Sequence, residues 1–189
     1  MNQARARRLH ALRLLSFLAT LSGASIACSG NSVDGSAGSG AGGGSSPTGQ
    51  ADPCSLSTTL SGAVTLQTSA QSLVCVSAIS TGPSFELNFL PDRTSPVSAL
   101  AFAIAGAKRS EIAANLSTVV VVLRSDKSSF SALGCQSTLT ENGFLRSETS
   151  GDRYHVAGTG SCTSPAVSST AEQIQVSPFQ FDSTVIWNP

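Results

Sequence analysis

The residues able to do chemistry in this chain are few, and His155 stands first among them. Of two histidines, His10 and His155, only His155 lies in a patterned segment, Tyr154-His155-Val156, where a strand would turn it to the face opposite its neighbours. A Ser–His–Asp hydrolase would have to use it as the base for a serine. No serine sits in a Gly-x-Ser-x-Gly elbow. Asp152, three residues away in an expected turn, is poorly placed to orient the ring. These residues predict a surface or rim histidine and no catalytic residue. The acids are scattered, so a glycosidase-type carboxylate pair would depend on the fold bringing two of them together. Glu148 with Asp152 lacks the spacing of an EF-hand calcium loop. Trp187 and Tyr154 could stack on sugar rings if exposed on a flat face, but a lone Trp near a C-terminus more often caps a core. Gly42-Gly43-Gly44 follows no strand and makes no phosphate loop.

Cys54, Cys75, Cys135 and Cys162 form neither a Cys-x-x-Cys pair nor a His–Cys spacing, which disfavours zinc and a redox dithiol. No metal and no cofactor is expected. An even number of cysteines in an exported chain implies two disulfides. If a hairpin turns near Ser150, Cys135 and Cys162 face each other after a small register shift. Cys54 then pairs with Cys75 and pins the start of the domain to its second strand.

The chain has 189 residues, 40% hydrophobic and 12% charged, against about 25% charged in ordinary soluble proteins. The formal net charge of zero hides an asymmetry. Four of the 11 basic residues, Arg5, Arg7, Arg8 and Arg13, precede residue 14, which leaves 7 against 11 acidic residues beyond it. No basic cluster remains to neutralise phosphates, so nucleic acid is excluded as a partner.

The first 52 residues carry an address. Met1 to Arg13 is basic, and Leu14 to Ala27 is apolar and small, the pattern of a secretory signal peptide over residues 1–27. It is short of the roughly 20 apolar residues that a membrane-spanning helix needs. Ser25-Ile26-Ala27-Cys28 resembles the lipobox of bacterial lipoproteins, with Ser25 in place of the usual Leu. The resemblance implies a diacylglycerol thioether on Cys28, cleavage before it, and acylation of the new amino group. Two or three acyl chains hold a protein to a membrane where one is marginal. By the same resemblance, Ser29 after the cysteine permits passage to the outer membrane of a Gram-negative cell. Residues 28–52, Gly- and Ser-rich with no aromatic side chain, cannot offset their own ordering entropy and should form a flexible tether about 25–30 Å from end to end.

Residues 53–189 remain for one folded domain. Short apolar runs recur about every ten residues with turn residues between them, which predicts an all-β, mostly antiparallel sandwich, with a small barrel as the alternative. Phe85, Leu87 and Phe89 alternate with polar residues. Pro96–Ala105 fits a strand by the common parity of Leu100, Phe102 and Ile104, and a helix by the spacing of Val97, Leu100, Ala101 and Ile104; the strand is preferred. Val119 to Leu123 is apolar on both parities and predicts a strand covered on both faces. Ser147 to Arg153 is expected as a hairpin loop. Ile174 and Val176 fall on one parity and Phe179 and Phe181 on the other, so a break at Ser177-Pro178 should return all four to one face. The leading reading is a non-enzymatic structural or binding module, anchored to the envelope through Cys28, with an envelope protein or polysaccharide as partner. The alternatives are a small hydrolase using His155 or a carboxylate pair, and a carbohydrate-binding module using Trp187 or Tyr154.

Overall fold

A computed structural model describes residues 52–70, 73–77, 79–80 and 82–188. The expected signal peptide, Cys28 and the expected tether up to residue 51 lie outside these residues. The described chain is all-β. Its strands are β1 (Ser55–Ser57), β2 (Thr59–Gly62), β3 (Leu66–Gln67), β4 (Leu73–Ser77), β5 (Ile79–Ser80), β6 (Ser84–Pro91), β7 (Val97–Ala105), β8 (Leu116–Arg124), β9 (Ser129–Glu148), β10 (Gly151–Cys162), β11 (Ala166–Ser168), β12 (Gln173–Val176) and β13 (Phe179–Trp187).

An antiparallel path runs β4-β6-β7-β8-β9-β10-β13. Directions alternate along it, so β13 runs the same way as β4. The short pairing of β13 with β5, which follows β4, is accordingly parallel, through Ile186 opposite Ile79 and Trp187 opposite Ser80. The sheet thus curls into a half-barrel, and its inner side chains meet in one core. Phe102 of β7 touches Phe179 of β13 with ring centroids 4.9 Å apart, and Phe85 of β6 meets Trp187 edge-on at 5.9 Å. Each such buried side chain contributes about 1.5–3 kcal/mol.

A line of strand breaks crosses the sheet. β1 pairs with β13 while β2 pairs with β12. The gaps between them, at Thr58 and at Ser177-Pro178, lie side by side. Further along, β9 pairs with β11 through Phe130 and Ser131 and with β10 from Cys135 onward. Strands that switch layers need such corners, and the backbone groups freed there need partners. Side-chain hydroxyls supply many of them. Ser177 Oγ accepts from Thr59 N at 2.8 Å, Thr58 Oγ1 donates to the Ser177 carbonyl at 3.2 Å, and Thr163 Oγ1 donates to the Gly134 carbonyl at 2.9 Å. Cys135 and Cys162, directly paired across β9 and β10, are joined by a disulfide on this line, and Cys54 is joined to Cys75. Two disulfides suit an oxidising compartment outside the cytoplasm.

Residues 97–105 are a strand. The helix-like spacing of Val97 and Leu100 comes from an irregularity between Val97 and Ala99, which turns both side chains to the core. Phe179 and Phe181 are buried with Ile174 and Val176 across the break at Ser177-Pro178. Two expectations are corrected. Val120 and Val122 are fully buried, but Val119, Val121 and Leu123 are only half-buried, because they face outward opposite Ala103, Ala101 and Ala99 with no second layer above them among the described residues. The hairpin loop shrinks from Ser147–Arg153 to Thr149-Ser150, since pairing continues to Glu148 and Gly151. Gly151 makes this possible at φ 134°, with the Trp187 carbonyl 2.5 Å from where a Cβ would stand.

Close packing of β10 against its neighbours tests this arrangement. A Cβ on Gly158 would strike the Thr138 carbonyl and lie 2.7 Å from the Phe181 ring, whereas one on Gly82 would meet nothing within 4 Å. Gly158→Ala should destabilise the domain by about 1–3 kcal/mol, and Gly82→Ala by less than about 0.5 kcal/mol, as read from urea midpoints.

Candidate functional site

β9, β10, β13 and β1 lie side by side, and their outward side chains form a continuous polar face. The pairing register sets its rows. Thr138 faces Thr159, which faces Gln180, which faces Ser57. The next row is Glu141, Ala157, Asp182 and Ser55. Beyond it stand Gly143, His155 and Thr184.

His155 is turned to this outer face, between the buried Tyr154 and Val156. It reaches diagonally to both carboxylates of the preceding row. Nδ1 lies 2.7 Å from Glu141 Oε1 and Nε2 lies 2.8 Å from Asp182 Oδ1. A ring hydrogen-bonded to a carboxylate at each nitrogen is best satisfied as the imidazolium, which donates at both. Partial burial is the largest single influence on His155 and pulls its pKa down. The hydrogen bonds and charges of Asp182 and Glu141 together outweigh it and hold the pKa above its ordinary value of 6.5.

The charged end of the face continues around Arg153. Its guanidinium, mostly buried, binds Glu148 through Nε at 2.7 Å and Asp52 through Nη1 at 2.7 Å. Nη1 also donates to Ser77 Oγ and Thr184 Oγ1, both at 3.1 Å. Arg146 holds the same two carboxylates at 2.9 Å each. Hydrogen bonding from Arg153, with the nearby positive charges, keeps the Glu148 carboxyl below its ordinary pKa against some desolvation. Asp52 is thereby fixed where the tether expected from the sequence ends.

Toward the strand breaks the face becomes neutral and sinks into an open depression of about 610 Å³. Its lining combines the hydroxyls and amides of Gln136, Thr138, Thr159, Ser161, Gln180 and Ser57 with Pro178 and the edge of Phe179.

No protein family, curated protein or solved structure matches the chain.

The structure separates the residues that the sequence singled out. His155 is brought together with Glu141 and Asp182, not with a serine or with Asp152. Asp152 instead accepts from Ser147 Oγ at 2.8 Å and lies 3.6 Å from Arg109. Glu148 and Asp152 serve different cations, and among the described residues no group of three or more His, Cys, Asp and Glu is set to hold a metal. Trp187 and Tyr154 are only 4% and 5% exposed, so neither offers the flat face that sugar stacking requires. They belong to the core because both sit on inward parities, Trp187 against the buried Phe85 and Tyr154 beneath the exposed Phe144. The neutral depression was missed: its residues are ordinary outward positions on separate strands, and only the register brings them together.

A histidine whose pKa rises on folding stabilises the fold in full below its ordinary value and loses that contribution as pH climbs through the raised one. Urea midpoints should therefore fall as pH rises above 6.5, and His155→Gln should remove that step. Arg153→Ala leaves Asp52 and Glu148 to the more exposed Arg146 alone and should lower the urea midpoint measurably. Arg146→Ala, at a more exposed position, should shift the urea midpoint far less.

Proposed function

We propose that the chain is a membrane-anchored envelope lipoprotein whose β domain is a non-enzymatic binding or structural module. His155 carries the non-catalytic half of this reading. With a carboxylate on each ring nitrogen, it keeps no lone pair for a substrate or a serine, and its work is to clamp β9, β10 and β13 together. The anchored half is supported by the lipobox-like Ser25-Ile26-Ala27-Cys28 and by two disulfides, which suit the oxidising side of an inner membrane. The outer membrane of a Gram-negative cell is the destination that Ser29 favours. In this reading the tether carries the domain away from the lipid, and the Asp52 ion pairs with the Cys54–Cys75 bond fix its point of attachment.

Intact-mass analysis of the protein from a bacterial host tests the reading. The expected N-terminal residue is Cys28 carrying a diacylglycerol thioether and an N-linked acyl chain, with the protein in the membrane fraction; Cys28→Ala should release it from that fraction or leave the signal uncut. An unmodified Cys28 thiol in mature, exported protein would overturn the proposal.

A further inference from the structure

We infer that the neutral depression beside the strand breaks is a binding trough for an uncharged polyhydroxylated chain, an oligosaccharide segment without acidic or basic groups. The inference deepens the binding-module reading and rests on it.

The trough lies between two rows of outward side chains. One row is Thr138, Thr159, Gln180 and Ser57, in register across four adjacent strands. The other holds Gln136 opposite Ser161 and ends at the exposed Pro178. Between them runs the in-register row Ser137, Gly160 and Phe179, whose parity is inward, so what it presents outward is backbone. That backbone is the floor. Rows two residues apart on a strand are separated by about 6.6–6.8 Å, and three inter-strand steps span about 14–15 Å. The result is a slot across the strands, open to solvent and long enough for several linked rings. Its volume of about 610 Å³ falls within the usual range of about 300–1,000 Å³ for small-molecule sites.

The chemistry of the lining selects the ligand class. Apart from Pro178, every outward side chain here is a hydroxyl or a carboxamide, which both donates and accepts, as sugar hydroxyls do. Ser57, Thr138, Thr159, Ser161, Gln136 and Gln180 make no side-chain hydrogen bond to another described residue, whereas the inward Ser137 Oγ takes one from Thr118. No Lys, Arg, His, Asp or Glu lines the trough, so it has nothing to neutralise a phosphate, sulfate or uronate. A peptide adding as a strand would need an unpaired edge, but the floor strands β9, β10 and β13 are paired on both sides at this level. The trough also differs from the aromatic sugar platform considered for Trp187 and Tyr154, whose rings are in the core.

The strand breaks give the trough its shape. Thr163, Ser177 and Thr58, where strands are interrupted, and Gly134, where β9 passes from pairing with β11 to pairing with β10, each stand within two residues of a lining residue. The Cys135–Cys162 disulfide lies one residue beyond the Gln136–Ser161 pair.

Titration of the ¹⁵N-labelled full chain in detergent micelles with cellohexaose, chitohexaose and maltohexaose, and with oligogalacturonate as the acidic counterpart, tests the inference. At least one neutral oligosaccharide should saturate a set of amide shifts confined to residues 136–138, 159–161 and 178–180. The double variant Gln136→Ala/Gln180→Ala should weaken that binding about tenfold or more with an unchanged urea midpoint, and Thr159→Arg should block it. Failure of all three neutral oligosaccharides to saturate any shift would overturn the inference, as would binding of oligogalacturonate as tight as theirs, or shifts centred elsewhere. Shortening of a bound oligosaccharide during the titration would sink the non-catalytic reading while leaving the trough intact, and the mass of Cys28 reports on the anchor independently of both.

Discussion

The register of β9 against β10 is the constraint on which the rest depends. β9 is 20 residues long and pairs with β8, β11 and β10 in turn, so every sheet position downstream is counted from it. A slip of one residue would turn its inward Leu139 out and its outward Thr138 and Gln136 in. Three features pin that register. The two-residue turn at Thr149-Ser150 sets one end, the Cys135–Cys162 disulfide closes the other, and Gly158 admits only the alignment that lays Phe181 over it. Closing so long a loop is worth about 3–4 kcal/mol in the chain-entropy picture, a large part of the stability of a small domain.

Much of this was legible in the residues, for identifiable reasons. Alternation in Phe85-Leu87-Phe89 and the parity switch at Ser177-Pro178 are local signals, and the local period of a strand is two regardless of its partners. The facing of Cys135 and Cys162 could be foreseen from the turn alone, because the two irregularities in the hairpin, after Arg153 and after Ala157, only nudge the alignment. What was hidden depends on the partners. Val119, Val121 and Leu123 look like a strand buried on both faces because composition does not say whether a second layer exists. The clamp on His155 was hidden for the same reason: Glu141 lies 14 residues away and Asp182 lies 27 residues away along the chain, on strands whose register no local pattern reveals.

The outward face of β9, β10 and β13 divides its polarity in two. At the hairpin end, charge answers charge: Arg153 and Arg146 meet Asp52 and Glu148, and His155 meets Glu141 and Asp182. Such groups spend their hydrogen bonds on one another, and a mostly buried cation such as Arg153 is tolerable only because its donors are taken. Near the strand breaks the outward lining side chains are neutral and leave their hydrogen-bonding groups unpaired with any other described side chain or backbone group. Exposed hydroxyls and amides cost nothing while hydrated, so folding places no demand on them. A row of unspent donors and acceptors in register across four strands is a surface that the stability of the domain does not require.

Water competes well for such groups, and a solvent-open slot without an exposed aromatic ring gains little from apolar burial, so a ligand there would be held weakly, with dissociation constants nearer millimolar than micromolar. Weakness of that order is a handicap for a protein diffusing freely and not for one held beside its ligand. If residues 28–52 form the flexible tether that their composition predicts, a linker of that length would confine the domain to an effective concentration of about millimolar relative to whatever lies within its reach. On the anchored reading, the same polypeptide that supplies the lipid attachment also makes a weak site sufficient, which ties the composition of residues 28–52 to the chemistry of a trough that they need never touch.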